Sequence, residues 1–172
     1  MGPTPAMPPW GHVTQEAVQC IAQASARYQV PELLMHAVLR KEGGRMGQAV
    51  KNRNGTYDLG LAQINTSWVE HFGRYGVTRE SLQTDTCTNL YASGYILRRN
   101  FNLKRNWTDA IIAYNIGPNQ WTPNRYRIGV TYARDVIRYW HEFHDQVNSK
   151  ALVSRPPVTA SQSGSNPATR DG

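Results

Sequence analysis

The sequence predicts a mainly α fold with one small β-hairpin. Apolar residues recur at three- and four-residue spacing through most of the chain, and a single Asn-Gly turn signal stands between two short segments. From about residue 13 to residue 148 no internal repeat and no long linker interrupts the pattern, so one domain is expected over 13–148.

Thr14 is placed to cap a first helix carrying Val18, Ile21 and Ala22. Pro31 suits the first turn of a second, whose Leu34, Ala37 and Val38 form a buried face and which Gly43 and Gly44 stop. Residues 52–58 contain Asn54-Gly55 and read as the hairpin. Ser67-Trp68-Val69-Glu70 has the spacing of a capping box and opens the next helix. Two further helices are expected at about 86–101 and 107–115, the latter ending near Gly117-Pro118. A last helix sets Val130, Ala133, Ile137, Trp140 and His144 or Val147 on one stripe. Outside these, residues 1–12 carry four prolines and residues 149–172 are rich in Ser, Pro, Thr and Gly, so both read as flexible flanks and the tail as disordered.

A hydrophobic content of 40% with 18% charged residues is an ordinary globular balance, and no apolar run is long enough to suggest a membrane span. The net charge of +7 favours anionic partners. Its lysines and arginines are spread along the chain and match no groove-reading element, so nucleic acid is not the expected partner. Cys20 and Cys87 are too far apart for a CxxC motif or a zinc knuckle; they form either a long-range disulfide or two free buried thiols, and export would favour the bridge. Met1 to Pro9 shows no signal peptide, which leaves prior removal or another route of export.

Glu42 is the first candidate for chemistry. It follows Val38 by four residues and Leu34 by eight, in line with an apolar row and in the last turn of its helix. Partial burial and the negative end of the helix dipole both raise a carboxyl pKa there, as a general acid working near neutral pH requires. The plain alternative is a solvated Glu paired with Arg40, Lys41 or Arg45.

The stretch from Asn52 to Trp68 decides between them. With its Asn-Gly turn, Asp58 two residues before Gly60, then Gln63-Ile64-Asn65, a hydroxyl residue and Trp68, it resembles the hairpin of animal c-type lysozymes. Gly60-Leu61-Ala62-Gln63 also resembles the Gly-Leu-Met-Gln motif of soluble lytic transglycosylases, and Ala113-Tyr114-Asn115-x-Gly117 resembles their Ala-Tyr-Asn-x-Gly motif. Glu42, about twenty residues before Gln63, falls where both families keep the catalytic acid. The resemblance spans roughly residues 15 to 142 and is strongest to the small lytic transglycosylases of type III and type IV secretion and conjugation systems, paired cysteines included. One departure is Gly43, where many of that family have Ser directly after the acid.

The resemblance implies a lysozyme-like α+β domain whose hairpin lines a cleft, and a periplasmic, monomeric enzyme that opens the cell wall for a secretion or conjugation apparatus. Its substrate would be peptidoglycan, cut at the β-1,4 bond between N-acetylmuramic acid and N-acetylglucosamine. Glu42 would be the acid, the substrate's N-acetyl oxygen would stabilise the developing cation, and the muramyl 6-hydroxyl would close a 1,6-anhydro ring. Gln63, Tyr114, Asn115 and Gly60 would line the site, and Tyr132 would be the family's late aromatic residue near the acid. No cofactor or metal is implied. His141 and His144, three apart, lack the further ligands that a metal site needs.

Asp58 keeps a second outcome open. In the place of the lysozyme aspartate it would make a retaining hydrolase with Glu42; otherwise it is a hairpin Asp bonding its neighbours. The Ala113-Tyr114-Asn115 motif, which lysozymes lack, favours transglycosylation. A wall-binding assembly subunit that has lost the reaction is a third reading, which retention of Glu42, Gln63, Tyr114 and Asn115 opposes. Trp121 and Tyr126 could offer flat faces to sugar rings.

Overall fold

The computed structural model describes residues 5–154. In chain order the elements are α1 (Gln15–Tyr28), α2 (Glu32–Glu42), β1 (Ala49–Lys51), β2 (Tyr57–Leu59), β3 (Ile64–Asn65), α3 (Val69–Gly73), α4 (Arg79–Thr84), α5 (Thr86–Lys104), α6 (Trp107–Ile116) and α7 (Pro123–Val153). The fold is mainly helical, with a small antiparallel sheet in the order β1-β2-β3.

Local chemistry accounts for most boundaries. The Thr14 hydroxyl accepts from Ala17 N at 3.1 Å and starts α1, a cap worth about 1 kcal/mol. Asp85 ends α4 and, accepting from Thr88 N at 2.6 Å, starts α5. Thr122 caps α7, and Pro123 occupies its first turn, where a missing N–H is harmless.

Several expectations shift. The hairpin gains a third strand, with Asp58 opposite Asn65 and Leu59 opposite Ile64, too short to show a period in sequence. The expected Ser67 cap is replaced by Asn65, whose side chain accepts from Ser67 N at 3.0 Å and opens a single 3₁₀ turn over Thr66–Trp68 before α3. The sequence reading missed α4, a six-residue helix opened by a Thr78–Ser81 capping box. Pro31 precedes α2 as its cap residue, its carbonyl accepting from Leu34 N and Met35 N.

The buried face of α7 keeps part of the expected stripe, with Ala133 buried and Ile137 and Trp140 packed on the core, and is wider than it. Gly129, Tyr132, Val136 and Phe143 face inward beside Ala133, while Val130 and Val147 are each 40% exposed. Gly129 lets α7 approach α6 closely, since a Cβ there would stand 2.7 Å from Ile112 Cγ2. The helix runs to Val153, beyond the boundary expected at 148; residues 155–172 of the expected tail lie outside the described residues, as do residues 1–4 of the N-terminal flank. Within that flank, Trp10 stacks on Phe143 with ring centroids 4.1 Å apart.

Two apolar cores form. One joins α1, α2, α5, α6 and α7 through Ile21, Leu34, Val38, Leu97, Ile111 and Val136; the other lies under the sheet and holds Leu59, Ile64, Phe72, Leu82 and Ile96. Leu39 and Tyr114 pack against both and mark the seam. A Cys20–Cys87 disulfide ties α1 to α5 with Cα atoms 5.1 Å apart, which settles the question of the two thiols and fits an oxidising compartment outside the cytoplasm. No helix among the described residues is long and apolar enough to cross a membrane.

Candidate active site

A cleft of about 710 Å³ opens between the two cores. Glu42, Asp58, Gln63, Tyr114 and Asn115, five of the seven residues proposed from sequence for chemistry or substrate contact, line it. Tyr132 stands immediately behind and donates a hydrogen bond to Glu42 Oε1. Gly60 does not line the cleft: it is fully buried, and its part is to let the chain turn.

Glu42 ends α2 because Gly43 follows in the left-handed conformation, φ 62°, with its N–H on Leu39 O. Glycine takes this left-handed conformation without strain, and nothing stands within 4 Å of where its Cβ would lie. Burial pushes the Glu42 pKa from 4.5 up to about 7. The Tyr132 hydrogen bond and the Lys41 ammonium pull against that rise, whereas the Asp58 charge adds to it. Tyr132 itself is 6% exposed, and burial, with Glu42 beside it, holds its phenol protonated.

Asp58 lies on β2 at the hairpin wall, and its Oδ1 accepts from Asn65 Nδ2 at 2.8 Å. The same amide nitrogen also reaches Thr56 Oγ1 at 2.9 Å, so Asn65 fixes both the turn and the carboxylate. Gln63 is pinned by its Nε2 on Gly60 O at 2.9 Å, and its amide oxygen has no partner among the described residues. Tyr114 gives its hydroxyl to Ala62 O at 2.8 Å and stands 3.1 Å from Ser93 Oγ. Those bonds make Tyr114 a strut between α6 and the Gly60–Gln63 turn, and it is the Asn115 side chain that is exposed to the cleft.

Sequence reasoning missed the support beneath that turn. Asn89, fully buried on α5, donates to Leu59 O at 2.8 Å and Leu82 O at 2.7 Å and accepts from Ala62 N at 2.9 Å. Three buried backbone groups, at the end of β2, in the last turn of α4 and in the turn after β2, are thereby paired. Gly60, at φ 66°, is required here, because a Cβ would run into the Asn89 amide. Asn89, Ser93 and Asn100 are all buried, at i, i+4 and i+11 of α5. Polar residues recurring in register with a buried helical face were the available signal. Asn100 also borders the cleft, with its Oδ1 unpartnered among the described residues.

Trp121 and Tyr126 do not border the cleft. The Trp121 indole donates to Gly117 O at 2.7 Å, and Lys104 Nζ lies 3.8 Å from its ring centroid. His144 meets Asn148, and among the described residues no three His, Cys, Asp or Glu side chains converge as a metal site.

A partly buried carboxyl with its pKa near neutral, opposite a second carboxylate in a groove between an α lobe and a small sheet, defines the lysozyme-like class. Residues 19–129 match the family model described as the transglycosylase SLT domain, and the chain belongs to that family of peptidoglycan lytic transglycosylases. It is 29% identical over 120 residues to protein IpgF of Shigella flexneri, covering 69% of this chain and 77% of that one. The X polypeptide of Escherichia coli is 30% identical over 126 residues, covering 73% and 74%, and invasion protein IagB of Salmonella typhimurium 28% over 118 residues, covering 68% and 72%.

Proposed function

We propose that the protein cleaves the β-1,4 bond between N-acetylmuramic acid and N-acetylglucosamine and releases a 1,6-anhydromuramyl end. The observation that carries this is Glu42, raised to about 7 by burial and bound by Tyr132 at the floor of the cleft. At neutral pH such a group exists in both protonation states, so it can act first as acid and then as base.

In the first half of the reaction, Glu42 gives its proton to the leaving glycosidic oxygen. The acetamido oxygen of the muramyl unit closes on C1 as the bond breaks, offsetting the positive charge there. In the second half, the Glu42 carboxylate takes the proton of the muramyl 6-hydroxyl, which attacks C1 and expels the acetamido oxygen. Glu42 ends protonated again, and no water is consumed. Asn115 and the amide oxygen of Gln63 are the groups that orient the sugar, and Tyr132 orients the carboxyl.

Asp58 favours a second reading, because it shares the cleft with Glu42. As a nucleophile it would make the enzyme a retaining hydrolase. Its Asn65 bond supports an electrostatic role instead, that of a fixed charge facing the oxocarbenium-like state. Mass spectrometry of the muropeptides released from purified peptidoglycan separates the two. Anhydromuramyl products establish the transglycosylase; reducing-end products, one water heavier, establish the hydrolase.

The secretion-associated family resemblance and a disulfide suited to the periplasm support a monomeric enzyme there, opening the wall locally for a secretion or conjugation apparatus. Retention of the mating or secretion phenotype when the Glu42→Gln gene replaces the wild type would count against that role.

A further inference from the structure

Beside the cleft lies a second cavity of about 470 Å³, lined by Lys41, Asn115, Arg127, Ile128, Thr131 and Tyr132. Asn115 borders both spaces, and Tyr132, which bonds Glu42, forms part of the bay's wall. The bay is therefore a side branch of the catalytic groove on its α7 flank.

Its two cations differ in availability. Lys41 Nζ is held by Asp135 at 2.6 Å. Arg127 meets the neutral Asn124 Oδ1 at 2.9 Å and has no carboxylate partner among the described residues. Next to it Ile128 is 53% exposed, an apolar side chain open at the rim. A free guanidinium beside an exposed branched aliphatic group suits a ligand that is anionic and partly apolar.

The substrate carries such a group. On the muramyl ring the acetamido nitrogen is on C2, and the lactyl ether that bears the stem peptide is on the adjacent C3. Asn115 borders both the cleft and the bay, so an acetamido group held there brings the peptide branch, one ring carbon away, within reach of the bay. Stem peptides are built of alanyl methyls and free carboxylates, the two chemistries the bay offers. We propose that the bay formed by Asn115, Arg127, Ile128 and Thr131 binds the stem peptide of the muramyl unit, Arg127 holding a peptide carboxylate and Ile128 packing on the alanyl methyls. The proposal rests on the transglycosylase reading.

The test compares peptide-bearing glycan strands with the same strands after their peptide carboxyl groups have been converted to amides. The full chain should cleave the native strands with a kcat/KM about threefold to fivefold above the amidated ones, the size of a partly exposed ion pair. Arg127→Gln should bring the native substrate down to the amidated level and leave the amidated rate unchanged. Arg127 is exposed on α7 and its side chain holds one surface hydrogen bond, so the variant keeps the fold. Equal wild-type rates on the two substrates, or an equal loss on both in the variant, overturns the peptide site and leaves the reaction assignment standing. Absence of anhydromuramyl products from both substrates overturns the reaction reading and the peptide site with it.

Discussion

Tyr132 and Glu42 lie 90 residues apart in the chain, yet the phenol of one donates directly to the carboxylate of the other. The bond joins α7 to the end of α2 and opposes the effect of burial on the acid. Without it the carboxyl would be harder to ionise and free to rotate.

Glu42→Gln keeps the shape of the side chain and removes its titratable proton. Product release should fall about a thousandfold, within the usual range for a general acid. The same variant reports the pKa through stability. Because the folded pKa, about 7, lies above the ordinary 4.5, the folded state binds the proton more tightly than the unfolded chain, and wild-type stability declines as pH rises from 4.5 through 7. At about 1.4 kcal/mol per unit, Glu42→Gln should gain on the order of 3 kcal/mol on wild type between acidic and mildly alkaline buffer. Denaturant unfolding at the two pH values measures it, and a constant difference would contradict the raised pKa.

Tyr132→Phe removes the bond that favours the carboxylate. The Glu42 pKa should rise further, moving the alkaline limb of kcat/KM from near 7 to higher pH. Loss of orientation should also lower kcat by roughly tenfold. A fall in rate with an unmoved limb would show that the phenol does not touch the acid in solution.

Asp58→Asn should act in the opposite sense. Asp58 raises the Glu42 pKa, so its neutralisation should move the alkaline limb to lower pH. As an electrostatic aid Asp58 should be worth about tenfold in rate, with anhydromuramyl products retained. A loss of about a thousandfold or more would instead mark it as the nucleophile of a retaining hydrolase.

Asn89→Ala tests the support under the Gly60–Gln63 turn. Removing three hydrogen bonds from buried backbone groups should cost about 3 kcal/mol or more, read as a lower urea midpoint. Activity should fall as well, because Gln63 loses the turn that aims it. Asn115→Ala provides the contrast, since its exposed side chain should reduce turnover with little change in midpoint.

Much of this was legible because it is local. Caps at Thr14, the Asn54-Gly55 turn and the apolar rows of α1 and α2 follow from near neighbours, and short motifs placed Glu42, Gln63 and Asn115 on one list. The inward face of α7 was legible only in part: Ala133 is buried as expected, but Gly129 rather than Val130 meets α6, which the packing of the two helices decides. Asn89 read as an ordinary polar residue on a helix, since its partners lie on segments 7, 27 and 30 residues away.

By itself the sequence determined the helical class, the hairpin and the candidate acid, because periodicity, turn chemistry and motif spacing act over a few residues at a time. Tertiary structure decided what those residues do to one another: which groups share the cleft, which phenol holds Glu42, why Gly60 belongs behind the site and that Cys20 meets Cys87. Burial and electrostatic fields are properties of three-dimensional surroundings, so the rise of the Glu42 pKa to about 7 exists only once α2, α7 and the sheet have packed.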